Sequence, residues 1–248
     1  MTAAWQVAVL LFSGYTITEM KKRAEKLPPH YALLLGARQG DVFLPHDPEI
    51  IFEEMADICR KFKIKKTFYI GEPFWQTEAV YHNTCRALKI PDCVGSIYNL
   101  PLDSKLITAW DIEAVITTGK IFGAWAGHLA PEHWRSVKYW YLLGPVKPAI
   151  FEKIKSASPK AKIFQHYAPF AAATAGYQCE YLSGRPNFFH PSKNPKIKLE
   201  LSPKKEILMT IGKPPLLKSL NKYPTNDFGK IYEKHCPCGQ KRTFEIKV

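Results

Sequence analysis

The sequence predicts an α/β protein: a helix-covered sheet over residues 1–185, followed by a small β-rich, zinc-bearing module over 186–248. Up to about Gly184, helical periods alternate with short β-branched and aromatic runs, the pattern of a sheet covered by helices. After Arg185 the helical period vanishes, and short alternating runs appear between Pro186, Pro191, Pro195, Pro203, Pro214 and Pro215. The 248 residues are 46% hydrophobic and 13% aromatic, which supplies enough apolar material for one large domain or two small ones and excludes a disordered chain.

The elements follow in order. Thr16 and Glu19 form a capping-box pair ahead of a helix from Met20 to Lys26, stopped by Pro28 and Pro29. Tyr31 to Leu35 and Asp41 to Leu44 read as strands around Gly36 and Gly40. Pro48 marks a helix start, and Ile51, Met55, Ile58, Cys59 and Phe62 recur at helical spacing, which makes Cys59 a core thiol. Thr67 to Ile70 is a strand, Phe74 to Leu88 a helix, Ala114 to Thr117 a buried strand and Tyr139 to Leu143 another that ends at Gly144. Ala149 to Ile154 is a helix, and Ala161 to His166 is the strand that leads to Tyr167. In the β-rich part, Lys196 to Leu201, Glu206 to Ile211, Gly229 to Glu233 and Thr243 to Val248 read as strands.

Composition bounds the function. Lys and Arg number 35 against 22 Asp and Glu, so the net charge of +13 favours anionic partners: nucleotides, coenzyme A, nucleic acid or anionic lipid. No run of about eighteen apolar residues lacks a charge, and the apolar start from Ala3 to Phe12 has neither the basic flank nor the cleavage site of a signal peptide. A soluble cytoplasmic protein with no membrane partner is expected. Six cysteines are too few for a disulfide scaffold, so a close pair is better explained by a metal.

The sharpest local signal is His235-Cys236-Pro237-Cys238-Gly239, where two thiols at a proline-glycine turn can face one point. Tetrahedral zinc needs two further ligands, and Cys179 and His190 stand at the start of the same region. Cys179, His190, Cys236 and Cys238 would close the coordination sphere, making a structural site that ties the two ends of the module together. His235 is a competing imidazole, and reduced thiols without metal are the plain alternative. Tyr223-Pro224-Thr225-Asn226-Asp227-Phe228-Gly229 reads as a turn with one carboxylate at its centre. Thr117-Thr118-Gly119-Lys120 is too short for a phosphate loop and reads as a strand end. His128, His133 and His166 lie among aromatic residues and read as core or surface histidines, while the tryptophans mostly follow core periodicity.

Taken in order, Leu143-Gly144, Tyr167-Ala168-Pro169, Cys179-Glu180, His190-Pro191, Glu206 to Thr210, Tyr223 to Asp227 and Cys236-Pro237-Cys238-Gly239 resemble the adenylate-forming acyl and aryl coenzyme A ligases. The resemblance is strongest to the phenylacetate–coenzyme A ligase-like branch and covers the later part of its large domain. It implies that Asp227 binds the ribose hydroxyls of an adenylate, that Tyr167 packs beside the adenine, and that the Cys and His positions form the structural zinc site of some members. Departures accompany it. The family's tyrosine motif continues Gly-x-Thr-Glu, with threonine on phosphate and glutamate on magnesium, whereas Tyr167 is followed by Ala168, Pro169, Phe170 and Ala171. The glycine of the family's Thr-Gly-Asp is Asn226, which tolerates a left-handed turn. The resemblance starts weakly near Tyr31, after the family's Ser/Thr/Gly-rich loop, and ends before the domain with its catalytic lysine, so a truncated relative is expected.

These readings imply a degenerate binding protein or pseudoenzyme for AMP or ATP, an acyl or aryl ligand, or a protein partner, inactive as an isolated chain. Two rivals are a subunit of a split ligase completed by a second chain and a basic, zinc-containing nucleic-acid-binding protein, whose affinity would fall steeply with salt.

Overall fold

The computed structural model describes residues 53–71, 75–95, 100–125, 131–169, 175–193, 195–211 and 220–248. The elements expected at Met20 to Lys26, Tyr31 to Leu35 and Asp41 to Leu44 lie outside these residues, as do His128, Phe170 and Ala171.

Helix α1 (Glu53–Lys61) leads to strand β1 (Thr67–Ile70), then α2 (Trp75–Leu88), α3 (Leu100–Ala109), β2 (Ala114–Thr118) and α4 (Gly119–Trp125). A 3-10 turn (Pro131–Trp134), β3 (Tyr139–Leu143), α5 (Pro148–Ala157) and β4 (Lys162–Tyr167) complete the helical part. Strands β1 to β4 pair in parallel and in sequence order. Such strands are buried on both faces, and here their side chains divide by a period of two. Phe68, Ile70, Val115, Trp140, Leu142 and Ile163 face one core with Ile121, Phe122 and Trp125 of α4 and Phe151 and Ile154 of α5. Tyr69, Ala114, Ile116, Tyr141 and Phe164 face the other with Met55 and Cys59 of α1 and Tyr81 and Cys85 of α2. Cys59 is thus a core thiol, and burial pushes it up to about 12.

Beyond β4 the direction alternates. Strands β5 (Gly176–Tyr177), β6 (Phe188–Pro191), β7 (Ile197–Leu201), β8 (Glu206–Ile211), β9 (Leu220–Tyr232) and β10 (Thr243–Lys247) extend the sheet in the order β4-β5-β6-β10-β9-β8-β7. They enclose a third core of Phe189, Leu199, Ile207, Met209, Ile211, Phe244 and Ile246, into which Tyr167 projects from the end of β4. Gly176 is required here, since a Cβ on it would come within 2.5 Å of Phe244 Cζ.

The structure differs from the sequence reading at four places. Helix α3 was not expected, and α4 begins where Gly119 and Lys120 were read as a turn; Thr118 Oγ1 caps α4 by accepting from the Ile121 N–H at 3.2 Å. The stretch from Tyr223 to Gly229 is not a turn but the middle of β9. Its pairing with β8 carries two register shifts, and Lys222 and Asn226 at φ 48° and 62° mark where the strand takes up extra residues. Among the tryptophans, Trp125, Trp134 and Trp140 are core, but Trp110 is 50% exposed just after α3.

A buried amide network joins the parallel strands to the rest. Asn187, at φ 60°, accepts from the Val146 N–H through Oδ1 at 2.8 Å and donates to the Val146 carbonyl through Nδ2 at 2.9 Å. Gln165 of β4 accepts from the Asn187 N–H and donates to Asn187 Oδ1 at 3.1 Å, and Gln178 donates to the carbonyls of Arg185 and Phe188, both at 2.8 Å. The bonds made by Asn187, and that from Gln178 to Phe188, cross the expected boundary at 185/186.

Replacing Asn187 by Gly keeps the left-handed backbone but strands the partners of its amide, at a cost of about 1–3 kcal/mol for each buried unsatisfied group. Asn187→Ala adds about 1 kcal/mol of backbone strain to that loss. Urea unfolding of the two variants should rank parent above Gly above Ala.

His166, on β4 with its Nδ1 3.0 Å from the Tyr141 hydroxyl, is buried and pushed down to about 4 by desolvation. Its folded pKa lies below its unfolded value, so its contribution is complete above about pH 6.5 and is lost as pH falls towards 4. The full effect is about 3 kcal/mol. In His166→Asn, the stability lost between pH 6.5 and 4 should shrink by about that amount, measured by chemical denaturation across the range.

Candidate functional site

Two constellations occupy the junction between the parallel strands and the β-rich part. In the first, β5 runs into Cys179, β6 carries His190, and the tight turn between β9 and β10 carries Cys236 and Cys238. That turn is closed by the Gly239 N–H donating to the Cys236 carbonyl at 2.9 Å, with Gly239 at φ 92°, a conformation suited to glycine. One donor atom from each of Cys179, His190, Cys236 and Cys238 lies within 4.8 Å of all the others. His190 Nε2 is 3.3 Å from both Cys179 Sγ and Cys238 Sγ, and Cys179 Sγ is 3.7 Å from Cys236 Sγ.

The imidazole is oriented from behind. His190 Nδ1–H donates to the Arg242 carbonyl at 2.9 Å, leaving the Nε2 lone pair aimed at the sulfurs. Burial holds His190 below its usual value, which keeps the ring neutral and able to ligate. Burial also pushes the Cys179 thiol up to about 12. Burial works in the same sense on Cys238, but the Gln240 N–H and the neighbouring thiols outweigh it and hold Cys238 below the ordinary thiol value. Three thiols and one imidazole in this span can hold a metal ion. His235, the rival imidazole, is exposed and is not in the cluster.

In the second constellation, Tyr167 at the end of β4 donates its hydroxyl to Asp227 Oδ2 on β9 at 2.7 Å. Tyr167 is only 1% exposed, its ring packed at 5.8 Å from Phe189 and 5.7 Å from Phe244. Burial pushes the Tyr167 hydroxyl well up, so it stays a donor. Burial likewise raises Asp227, opposed by the hydrogen bond from Tyr167. Thr225 supports the bend by donating to the Ile207 carbonyl at 2.9 Å and accepting from the Asp227 N–H at 3.2 Å.

The structure therefore brings the four expected metal ligands to one point and the two expected nucleotide residues to another. Sequence reasoning missed the residues that orient them. Arg242 acts through its backbone carbonyl, which has no side-chain signature, and Gln165, Gln178 and Asn187 are amides whose partners come from distant segments.

Several solved structures share this fold. An open conformation of 2-hydroxyisobutyryl-CoA ligase in complex with 2-HIB-AMP and CoA matches 92% of this chain and 61% of its own, with TM-score 0.63 and 11% identity. A double mutant of o-succinylbenzoate CoA synthetase from Bacillus subtilis, bound with a product analogue, matches 79% of this chain and 44% of its own, with TM-score 0.54 and 12% identity. VinN in complex with L-aspartate matches 83% and 55%, with TM-score 0.54 and 14% identity. The fold is that of adenylate-forming ligases, and the chain spans 44% to 61% of the length of these structures. No family model matches the chain, and neither does any curated protein.

Removing the Tyr167 hydroxyl tests the second constellation. Tyr167→Phe leaves a half-buried carboxylate without its donor, a loss of about 1.5–3 kcal/mol for a hydrogen bond to a charged group. Urea unfolding at neutral pH should show that loss, and NMR titration should find Asp227 raised further in the variant.

Proposed function

We propose that this chain is a degenerate relative of the adenylate-forming acyl and aryl coenzyme A ligases, of the phenylacetate–coenzyme A ligase-like kind, which binds an adenine nucleotide without activating an acid. The observation that carries this reading is the 2.7 Å contact between Tyr167 and Asp227, sixty positions apart in sequence. These are the two residues that the resemblance assigns to the base and the ribose.

The local chemistry argues for weak binding. A carboxylate that holds a ribose offers both oxygens, and here Oδ2 is engaged by Tyr167, leaving Oδ1 for one hydroxyl. The Tyr167 ring packs against Phe189 and Phe244 and is 1% exposed, so its flat face is closed to an adenine. Catalysis needs more. The charge on a pentacoordinate phosphorus must be met by positioned donors and magnesium, and Ala168, Pro169, Phe170 and Ala171 stand where the family has its threonine and glutamate.

The metal in this reading is a structural zinc ion on Cys179, His190, Cys236 and Cys238. Zinc–sulfur bonds of about 2.3 Å in a tetrahedron set sulfur atoms about 3.8 Å apart, close to the Cys179–Cys236 separation of 3.7 Å. Four protein ligands leave no open position, so the ion would join β5 and β6 to the β9–β10 turn and take no part in chemistry.

Metal analysis of the purified chain should find one zinc per molecule, and Cys236→Ser with Cys238→Ser should release it and lower the melting temperature. Zinc-free protein with an unchanged melting curve after chelation would refute the metal assignment. Calorimetry should show weak AMP and ATP binding that hardly changes with magnesium and disappears in Asp227→Ala. Pyrophosphate exchange with aryl and fatty acids should stay at background, because each absent oxyanion donor costs about a hundredfold or more. Submicromolar, magnesium-dependent ATP binding, or exchange abolished by Asp227→Ala, would overturn the proposal.

A further inference from the structure

Glu54 is anomalous. It lies on α1, and a helix carboxylate is seldom buried unless it is paired. Here it is 6% exposed, and its Oε2 is buried with no hydrogen-bond partner among the described residues. Burial pushes it above the ordinary carboxylate range, opposed by its own backbone N–H and by Lys193, with Glu53 and Asp57 adding to the rise.

The carboxyl lines a cavity of about 170 Å3 between α1, β4 and the β5 segment. Ile58, Phe62, Phe164 and Tyr177 supply apolar and aromatic walls. The charged groups at its rim are matched to one another: Lys193 pairs with Asp57 at 3.1 Å, and Glu180 holds both Lys61 and Lys162. Glu54 is thus the lining carboxylate that lacks a paired cation among the described residues.

What would supply that cation? The acids do not converge on a metal, because the one cluster of His, Cys, Asp or Glu donors found among the described residues is the thiol–imidazole group. The walls favour an organic cation. Aromatic faces attract ammonium groups, and Lys193 Nζ already stands 5.2 Å from the Tyr177 ring centroid and Lys162 Nζ 4.6 Å from that of Phe62. The walls thus suit ammonium groups, and the Glu54 carboxyl offers one an acceptor that no described cation holds.

We propose that this cavity binds a small primary ammonium compound with an apolar body, the ammonium donating to Glu54 and the body lying against Ile58, Phe164 and Tyr177. The site is separate from the Tyr167–Asp227 pair and does not depend on the nucleotide reading. Lys193 is the resident cation it would work beside, held at the rim by Asp57.

Ligand-observed NMR titration of the full chain at neutral pH with benzylammonium, benzyl alcohol and phenylacetate tests this. Saturable benzylammonium binding is expected, with the uncharged and anionic analogues at least about tenfold weaker, since a charged hydrogen bond to a carboxylate separates them. Glu54→Gln, which keeps the shape, should weaken benzylammonium by at least about tenfold while melting no lower than the parent. Ile58→Trp, which fills the cavity and leaves the carboxyl in place, should abolish binding, and Asp227→Ala should leave it unchanged. Absence of saturable binding, equal binding to a folded Glu54→Gln variant, or phenylacetate binding as well as benzylammonium would overturn the proposal.

Discussion

The architecture depends on three amide side chains that are sealed from water. Gln165, Gln178 and Asn187 sit where the sheet changes from parallel to antiparallel, and each satisfies backbone groups that the change of direction would leave without partners. Gln178 accepts from the Gln165 N–H at 2.9 Å, while Asn187 spans both polar groups of Val146. A buried polar network of this kind has a narrow set of acceptable geometries, because any member that moves exposes the others to the cost of an unmet hydrogen bond. The loop between β5 and β6 is thereby held against β3 and β4, and His190 and Tyr167, which flank the network on neighbouring strands, inherit their positions from it.

Both constellations follow from that placement. The cysteines and histidine meet because β6 pairs with β10 on one side and β5 on the other, so the turn before β10 folds back onto the residue that follows β5. Tyr167 meets Asp227 because β4 ends against the concave core of the β-rich part, with Gly176 leaving room for Phe244 beside it. The electrostatics differ sharply between the two. At the thiol group, hydrogen bonds hold Cys238 below its usual value, so one thiol is already disposed to lose its proton. At Asp227, burial acts in the opposite sense and the tyrosine hydroxyl offsets part of it.

The strands of the parallel sheet were legible because each is a short apolar run bounded by polar or glycine residues, and the β-rich tail because its period is two. Leu100–Ala109 escaped because its proline at 101 and scattered polar residues hide a period. Gly119–Trp125 escaped because Gly119 and Gly123 signal a turn, whereas their missing side chains let α4 approach Val146 and Ile150; a Cβ on Gly119 would meet Val146 Cγ2 at 2.9 Å. The run from Tyr223 to Gly229 has turn composition but belongs to a long strand, since pairing with β8 and β10 outweighs local preference. The site's ligand-type residues were visible as types at suggestive spacing. Their orienting partners were not, because a backbone carbonyl at Arg242 leaves no mark on the sequence.

Strand β7 ends the sheet on the antiparallel side, with β8 as its one ladder neighbour among the described residues. A free margin of this kind offers main-chain donors and acceptors to any extended segment that drifts near, including the same margin of another molecule. Lys198 and Glu200 stand exposed along it, and Pro195 and Pro203 bracket it. An incoming strand would have to desolvate both charges and could lengthen the ladder at neither end past a proline. What opposes edge-to-edge pairing along this described margin is therefore two charged side chains and two imino acids.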